Sequence, residues 1–283
     1  MRTYAVTGSA SGMGRAVTEK LMAAGHSVIG VDLKDADVIA DLSTPAGRCA
    51  AADAVLERCG GVLDGAVLAA GLGPIPGRQR LIAQVNYFGV VELLTALRPA
   101  LARVGTAKVV VVASNSTTTT PLVPRRAVRA FAAGDADKAL RAVRLFGKHS
   151  AAMIYAASKI AVARWVRRQA VTGAWAGAGI RLNAIAPGAV MTPLLAEQLA
   201  DPTEAKAIKA FPVPVGGYGD PGHLADWMLF MLSASADFLC GSVIFVDGGS
   251  DAYFRPDSWP AALPTRSLPR YALRFLSHAR SRR

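Results

Sequence analysis

Short apolar runs alternate with longer amphipathic stretches along the chain. YAVT leads into RAVTEKLMAAG, SVIGVD into a helix-like stretch from Pro45 to Cys59, and GAVLAA through YFGVVELLTALRPALARV to KVVVVA. The short runs are not broken by polar alternation, which marks strands buried on both faces, and such strands in βαβ order are parallel. Right-handed crossovers then place helices on both sides of one doubly wound sheet. The second half predicts a long helix from about Tyr155 to Ala176, a strand at IRLNAIA, a Pro/Gly-rich loop, a helix around HLADWMLFMLSA and a last strand, SVIFVDGG. No internal repeat is visible, and the one shift in composition follows Gly249, where Pro256, Pro260, Pro264 and Pro269 punctuate an Arg-rich tail.

Apolar residues make up 52% of the 283 and charged ones 18%, a balance that suits close helix-to-sheet packing and excludes disorder throughout. Cys49, Cys59 and Cys240 show no CxxC pairing and no His at metal-ligand spacing, so reduced thiols and no metal are expected. Met1 and Arg2 run straight into TYAVTG without a signal peptide, and no apolar run reaches membrane-span length. The expectation is a soluble cytoplasmic protein. The net charge of +12 raises the question of nucleic acid, but residues 121 to 150 contribute +5 and residues 255 to 283 contribute +6. With the body nearly neutral and no basic stripe through the fold, nucleic acid is not an expected partner.

TGSASGMG, Thr7 to Gly14, lies between the first strand and the first helix. Gly8, Gly12 and Gly14 permit a tight turn and close approach to a pyrophosphate, while the helix N-terminus supplies N–H donors. Such a loop alone is also an ordinary βα turn. The next strand adds a second signal, because VIGVD ends in Asp32, 18 residues after Gly14. A carboxylate there accepts from ribose hydroxyls and repels a 2′-phosphate, which favours NAD; Arg15 and Lys34 keep NADP as the alternative.

YAASK places Tyr155 and Lys159 one helical turn apart on one face, where an ammonium beside a phenol favours the phenolate. Taken with TGSASGMG, AAG at 69–71, Asn86, Ser114 and the PG of APGAVMTP, this segment resembles the short-chain dehydrogenase/reductase family from about residue 3 to 249. The resemblance implies a Rossmann-type fold, an NAD(H)-dependent oxidoreductase and a role for each matching residue. Tyr155 is the proton donor or acceptor at the substrate oxygen, Ser114 binds that oxygen, Lys159 holds the nicotinamide ribose and tunes Tyr155, and Asn86 places a relay water. Ser11 and Met13 belong to the dinucleotide loop; Asp41 and Leu42 match the adenine contacts, Ala70 and Gly71 the ribose turn, and Pro187, Gly188, Val190 and Thr192 the nicotinamide loop. Ala69 departs from the family's frequent Asn and omits that side chain's structural hydrogen bond. Ser116 and Thr117 compete with Ser114, which is favoured because the apolar run ends at Ala113.

Most family members place this serine far closer to the tyrosine; here the gap is 41 residues. RRAVRAFAAGDADKALRAVRLFG within it reads as helical, with a break near Gly134 and Asp135. An insertion at this place, together with VIADLSTPAGR, AAGLGP, VNYFG and RLNAIAPGAVMTPLL, resembles the family's bacterial 3α-hydroxysteroid dehydrogenase/carbonyl reductase group. That implies a secondary alcohol or ketone on a steroid or similar ring compound, and a homodimer paired through the insertion. Met191, Leu194, Leu195, Phe211 and Tyr218 are candidate apolar walls for such a substrate, or equally residues packing a helix on the body. The expected organisation is one domain over 1–254, including the helical insertion 117–150 between the fifth strand and the tyrosine helix, and a basic tail over 255–283. In the tail Leu268, Tyr271, Ala272, Phe275, Leu276 and Ala279 fall at helical spacing, with Arg266, Arg270, Arg274 and Arg282 on another face. Docking on a partner subunit, peripheral membrane contact and a disordered end are three readings of it. A family-fold protein that binds nucleotide without turnover is the alternative to the enzyme.

Overall fold

The computed structural model describes the backbone of residues 1–280, and the side chains of all of these except 203, 204 and 275–280. Seven strands form one sheet: β1 (Thr3–Thr7), β2 (Ser27–Asp32), β3 (Val38–Ile39), β4 (Gly65–Leu68), β5 (Lys108–Val112), β6 (Arg181–Pro187) and β7 (Val243–Val246). All pairs are parallel, in the order β3-β2-β1-β4-β5-β6-β7. Tyr4 of β1 lies beside Val28 on one side and Gly65 on the other. The order reverses between β1 and β4, and such a switch point opens a crevice at the carboxyl ends of the strands.

The unbroken apolar runs are strands buried from both sides. Tyr4, Val6, Val110 and Val112 face one core with Val17 and Leu21 of the helix Gly12–Ala23 and Met228 and Leu232 of the helix Pro221–Leu232. Ala5, Val109 and Val111 face the other core with Leu93 and Leu97 of the helix Gly89–Val104 and Ile154 and Val162 of the helix Ser150–Gln169. The helix-like stretch from Pro45 forms Pro45–Arg58, begun by Thr44, whose Oγ1 accepts from Gly47 N–H at 3.0 Å.

The tyrosine helix departs from its expected span. It runs from Ser150 to Gln169, starting after a turn at Gly147 with φ +53°. It stops where Thr172 Oγ1 donates to the Gln169 carbonyl at 2.8 Å and Trp175 packs its ring 5.6 Å from Trp165. Tyr155 therefore lies in the second turn instead of opening the helix.

The insertion forms two helices, Arg125–Ala132 and Ala136–Val143. The break between them falls at Gly134, with φ +75°, and at Asp135, whose carboxylate caps Lys138 N–H at 2.7 Å. Ala127, Val128, Phe131, Ala139 and Val143 are buried, while Arg125, Arg126, Arg129, Arg141 and Arg144 are exposed. Phe131 stands 5.1 Å from the Tyr87 ring and 6.2 Å from that of Phe88. The two helices thus bury their apolar faces inside this chain and leave an arginine-rich outer side, with Leu122 and Leu145 exposed in the flanking segments. In the tail a helix covers Leu268–Arg280, with Leu268 and Tyr271 exposed. Arg282 and the side chains of Phe275, Leu276 and Ala279 lie outside the described residues. No helix among the described residues is long and apolar enough to cross a membrane.

Candidate active site

Thr7 ends β1, and the turn that follows is fixed by backbone contact. A β-carbon on Gly8, whose φ is +71°, would lie 2.8 Å from Ala70 N, and one on Gly14 would lie 2.1 Å from the Gly8 carbonyl oxygen. The turn is tied to β2, since Gly8 N–H donates to the Val31 carbonyl at 2.9 Å. Thr7 Oγ1 accepts from Ala70 N–H at 3.1 Å, and the Thr7 carbonyl accepts from Ala69 N–H at 3.2 Å. These bonds hold the AAG turn without the asparagine that Ala69 replaces.

A cleft of about 310 Å³ opens over this turn. Gly8, Ser11, Gly12, Met13, Gly14, Asp32, Asp41, Leu42, Ala70, Gly71 and Thr192 all line it. Asp32 is held in place by two N–H groups, its Oδ2 accepting from Ala10 at 3.0 Å and its Oδ1 from Leu33 at 2.7 Å. Arg15, a basic neighbour of the loop, pairs along its own helix with Glu19 at 2.8 Å. The backbone cradle and the carboxylate at the end of β2 fit a dinucleotide: pyrophosphate on the turn, adenosine ribose at Asp32.

The cleft runs into a second cavity of about 170 Å³, with Met13, Ala69, Gly71, Leu72, Thr192 and Leu194 common to both. Ser114, Tyr155, Lys159, Pro187, Gly188 and Val190 line this second part. Ser114 is buried just past β5; its Oγ accepts from Ser116 N–H at 3.1 Å and is hydrogen-bonded to the Tyr155 hydroxyl. Thr117 Oγ1 instead donates to the Ser114 carbonyl at 2.8 Å, and neither Ser116 nor Thr117 lines the cavity. Lys159 donates from Nζ to the Val112 carbonyl at 2.8 Å. Burial pulls its ammonium down to about 8. Burial pushes the Tyr155 phenol above its ordinary range, and the Ser114 hydrogen bond draws it partly back. With its ammonium engaged by the Val112 carbonyl, Lys159 does not offset this burial.

Asn86 sits in a π-helical turn, Gln84–Phe88, between the short helix Gln79–Ala83 and the helix Gly89–Val104. Its Oδ1 accepts from Leu72 N–H at 2.8 Å and its Nδ2 donates to the Leu72 carbonyl at 2.9 Å. A β-carbon on Gly71 would meet Asn86 Oδ1 at 3.3 Å and Lys159 Nζ at 3.5 Å, so the two side chains converge behind that glycine. With the amide engaged at both ends, a water placed by Asn86 would be held by its main chain.

A family model described as enoyl-(acyl carrier protein) reductase matches residues 139–251, from the second insertion helix past β7. Over 256 residues the chain is 40% identical to the 3-alpha-hydroxysteroid dehydrogenase/carbonyl reductase of Comamonas testosteroni, an alignment covering 90% of this chain and 99% of the relative. The chain belongs to the short-chain dehydrogenase/reductase family. Among solved structures, the 3-alpha-hydroxysteroid dehydrogenase from Pseudomonas sp. B-0831, complexed with NADH, matches with a TM-score of 0.84 at 46% identity, covering 90% of this chain and 99% of that one. Levodione reductase matches with a TM-score of 0.69 at 28% identity, over 89% and 98% of the two chains. The protein is accordingly an oxidoreductase of a family that binds a nicotinamide dinucleotide.

Of the candidate wall residues, Leu194 and Leu195 line the second cavity, while Met191, Phe211 and Tyr218 do not. Met191 is exposed, and Phe211 packs its ring 5.5 Å from Phe254. In their place stand Leu72, Pro74, Ala189 and Gln198. Sequence reasoning also missed Arg48, a buried guanidinium that reaches Glu92 at 2.6 Å, the Leu42 carbonyl at 3.1 Å and Gln84 at 3.2 Å. Its signal in the sequence was only an arginine in an otherwise alanine-rich helix.

Proposed function

We propose that this enzyme uses NAD to interconvert a secondary alcohol and a ketone on an apolar ring compound, a 3-hydroxysteroid and its 3-oxo counterpart foremost. The observation that carries the reading is the shape of the catalytic cavity. The Ser114 and Tyr155 hydroxyls stand together in a space walled by Leu72, Pro74, Val190, Leu194 and Leu195. The names of the Comamonas and Pseudomonas relatives support the steroid. A bound nicotinamide supplies or accepts the hydride. Tyr155 gives the proton to the substrate oxygen in reduction and takes it in oxidation, while Ser114 holds that oxygen. Lys159 holds the ribose hydroxyls, and Asn86 fixes the Leu72 peptide beside Lys159 and places the relay water.

Asp32 supports NAD over NADP, because a 2′-phosphate would stand against a carboxylate already fixed by Ala10 and Leu33. Arg15, drawn to Glu19, offers no counter-charge there. A substrate panel followed by NADH absorbance, with NAD and NADP in parallel, tests both halves of the reading. Turnover of 3-hydroxysteroids with NAD is expected. Good oxidation of short polar alcohols with none of the steroids would sink the substrate assignment. Asp32→Ala is expected to raise kcat/KM with NADP by roughly 10- to 100-fold by removing a like charge; an unchanged cofactor ratio would remove Asp32 from that role.

A further inference from the structure

Five polar side chains line the catalytic cavity, and four of them are committed. Ser114 and Tyr155 bond to each other, and Lys159 donates to the Val112 carbonyl. Thr192 Oγ1 accepts from Leu195 N–H and so caps the helix Pro193–Ala200. The fifth is Gln198, half-buried on that same helix, one turn beyond Leu194 and lining the cavity with it. Its amide has no hydrogen-bond partner among the described residues. A β-carbon on Gly73 would lie 3.4 Å from Leu194 Cδ2 and 3.7 Å from Gln198 Nε2. Helix and loop therefore meet at Gly73, with the amide beside that contact.

A glutamine on a helix face otherwise given to leucines has a definite consequence when substrate binds. In an aqueous cavity the amide bonds to solvent. Once apolar rings displace that solvent, it keeps a partner only if the substrate brings one. We infer that Gln198 is a specificity-determining residue that reads a second hydrogen-bonding oxygen of the substrate, apart from the oxygen held by Ser114 and Tyr155. A carboxamide both donates and accepts, so a hydroxyl or an oxo group satisfies it. This narrows the substrate class, on the reading of function given above, from an apolar alcohol to a ring compound oxygenated at two separate positions.

The test compares wild type, Gln198→Leu and the isosteric Gln198→Glu on two matched substrate sets. One set is a 3-oxosteroid carrying a hydroxyl, an oxo group or no oxygen on its distal ring; the other is 4-hydroxycyclohexanone, cyclohexane-1,4-dione and cyclohexanone. Wild type should favour the doubly oxygenated members in whichever set has the spacing to reach Gln198. Gln198→Leu should lower kcat/KM for those members about tenfold, through KM, and leave the singly oxygenated one unchanged. Gln198→Glu should retain the hydroxyl compounds, whose O–H donates to a carboxylate, and lose the oxo compounds, which cannot donate. NADH binding, read by fluorescence in each variant, should match wild type and shows that the fold is intact. Equal loss on all members of a set, or no change on any, overturns the assignment. If the monocyclic ketones turn over and the steroids do not, the steroid reading fails, while the monocyclic set still decides the role of Gln198. Absence of turnover on every compound overturns both.

Discussion

Tyr155→Phe is expected to lower kcat by about 10²- to 10⁴-fold, the range for loss of a positioned general acid or base, while leaving NADH binding within a few-fold of wild type. The phenyl ring keeps the packing of the second turn of the helix Ser150–Gln169, so the change removes one oxygen and its bond to Ser114. Burial holds the phenol above its ordinary range, so at neutral pH the group stands protonated and ready to donate. Reduction of a ketone should therefore hold through neutral pH and fall only as the phenol ionises. Oxidation of the alcohol needs the phenolate and should climb with pH over the same interval. Lys159 adds a limb of its own. Its ammonium, pulled down to about 8, loses its charge above that pH, and cofactor KM should rise there in the free enzyme. Stopped-flow single turnovers in both directions, with titration of NADH fluorescence, measure each quantity separately. Wild-type kcat in the phenylalanine variant would overturn the proton-transfer role outright.

The site was legible in the sequence wherever a residue type is demanded by the backbone. Gly14 tolerates no β-carbon, Asp32 ends the strand beside β1, and Tyr155 and Lys159 are linked by helical spacing alone. The insertion was legible for a similar reason. Gly134 and Asp135 are a turn glycine followed by a capping carboxylate, and both do what their chemistry favours. What escaped was set by contacts across the fold. The tyrosine helix gained a turn and more at its start, because Gly147 and not Tyr155 decides where it begins. No local pattern marks the π-helical turn that carries Asn86, whose side chain is bonded to the Leu72 peptide 14 residues earlier in the chain. Hydrophobicity left Phe211 open between a wall and a packing residue, and it packs on Phe254. Gln198 was not singled out by any sequence pattern, and only its placement beside the loop at Gly73 shows that this side of the helix faces a cavity.

The insertion should also prove to be a support of the cofactor cleft, and Phe131→Ala is the variant that reads this. Phe131 is fully buried, and its removal is expected to cost about 3–5 kcal/mol of stability, measured by urea unfolding. The loss should not stay within the insertion. Tyr87 and Phe88, the two rings against Phe131, follow Asn86 directly in the π-helical turn. Phe88 in turn lies under the Arg48 guanidinium, 5.9 Å from ring centre to its central carbon, and Arg48 holds the Leu42 carbonyl at 3.1 Å. Loosening the ring stack therefore reaches Asn86 on one side and the Asp41–Leu42 edge of the cleft on the other. Affinity for NADH should fall several-fold in the folded variant, below its unfolding midpoint. Arg126→Ala, on the exposed face of the same helix, removes a charge without opening the stack and should change neither quantity appreciably. An insertion that merely decorates the surface predicts the opposite for Phe131→Ala: a cost under about 1 kcal/mol, as for other surface changes, and unchanged NADH binding.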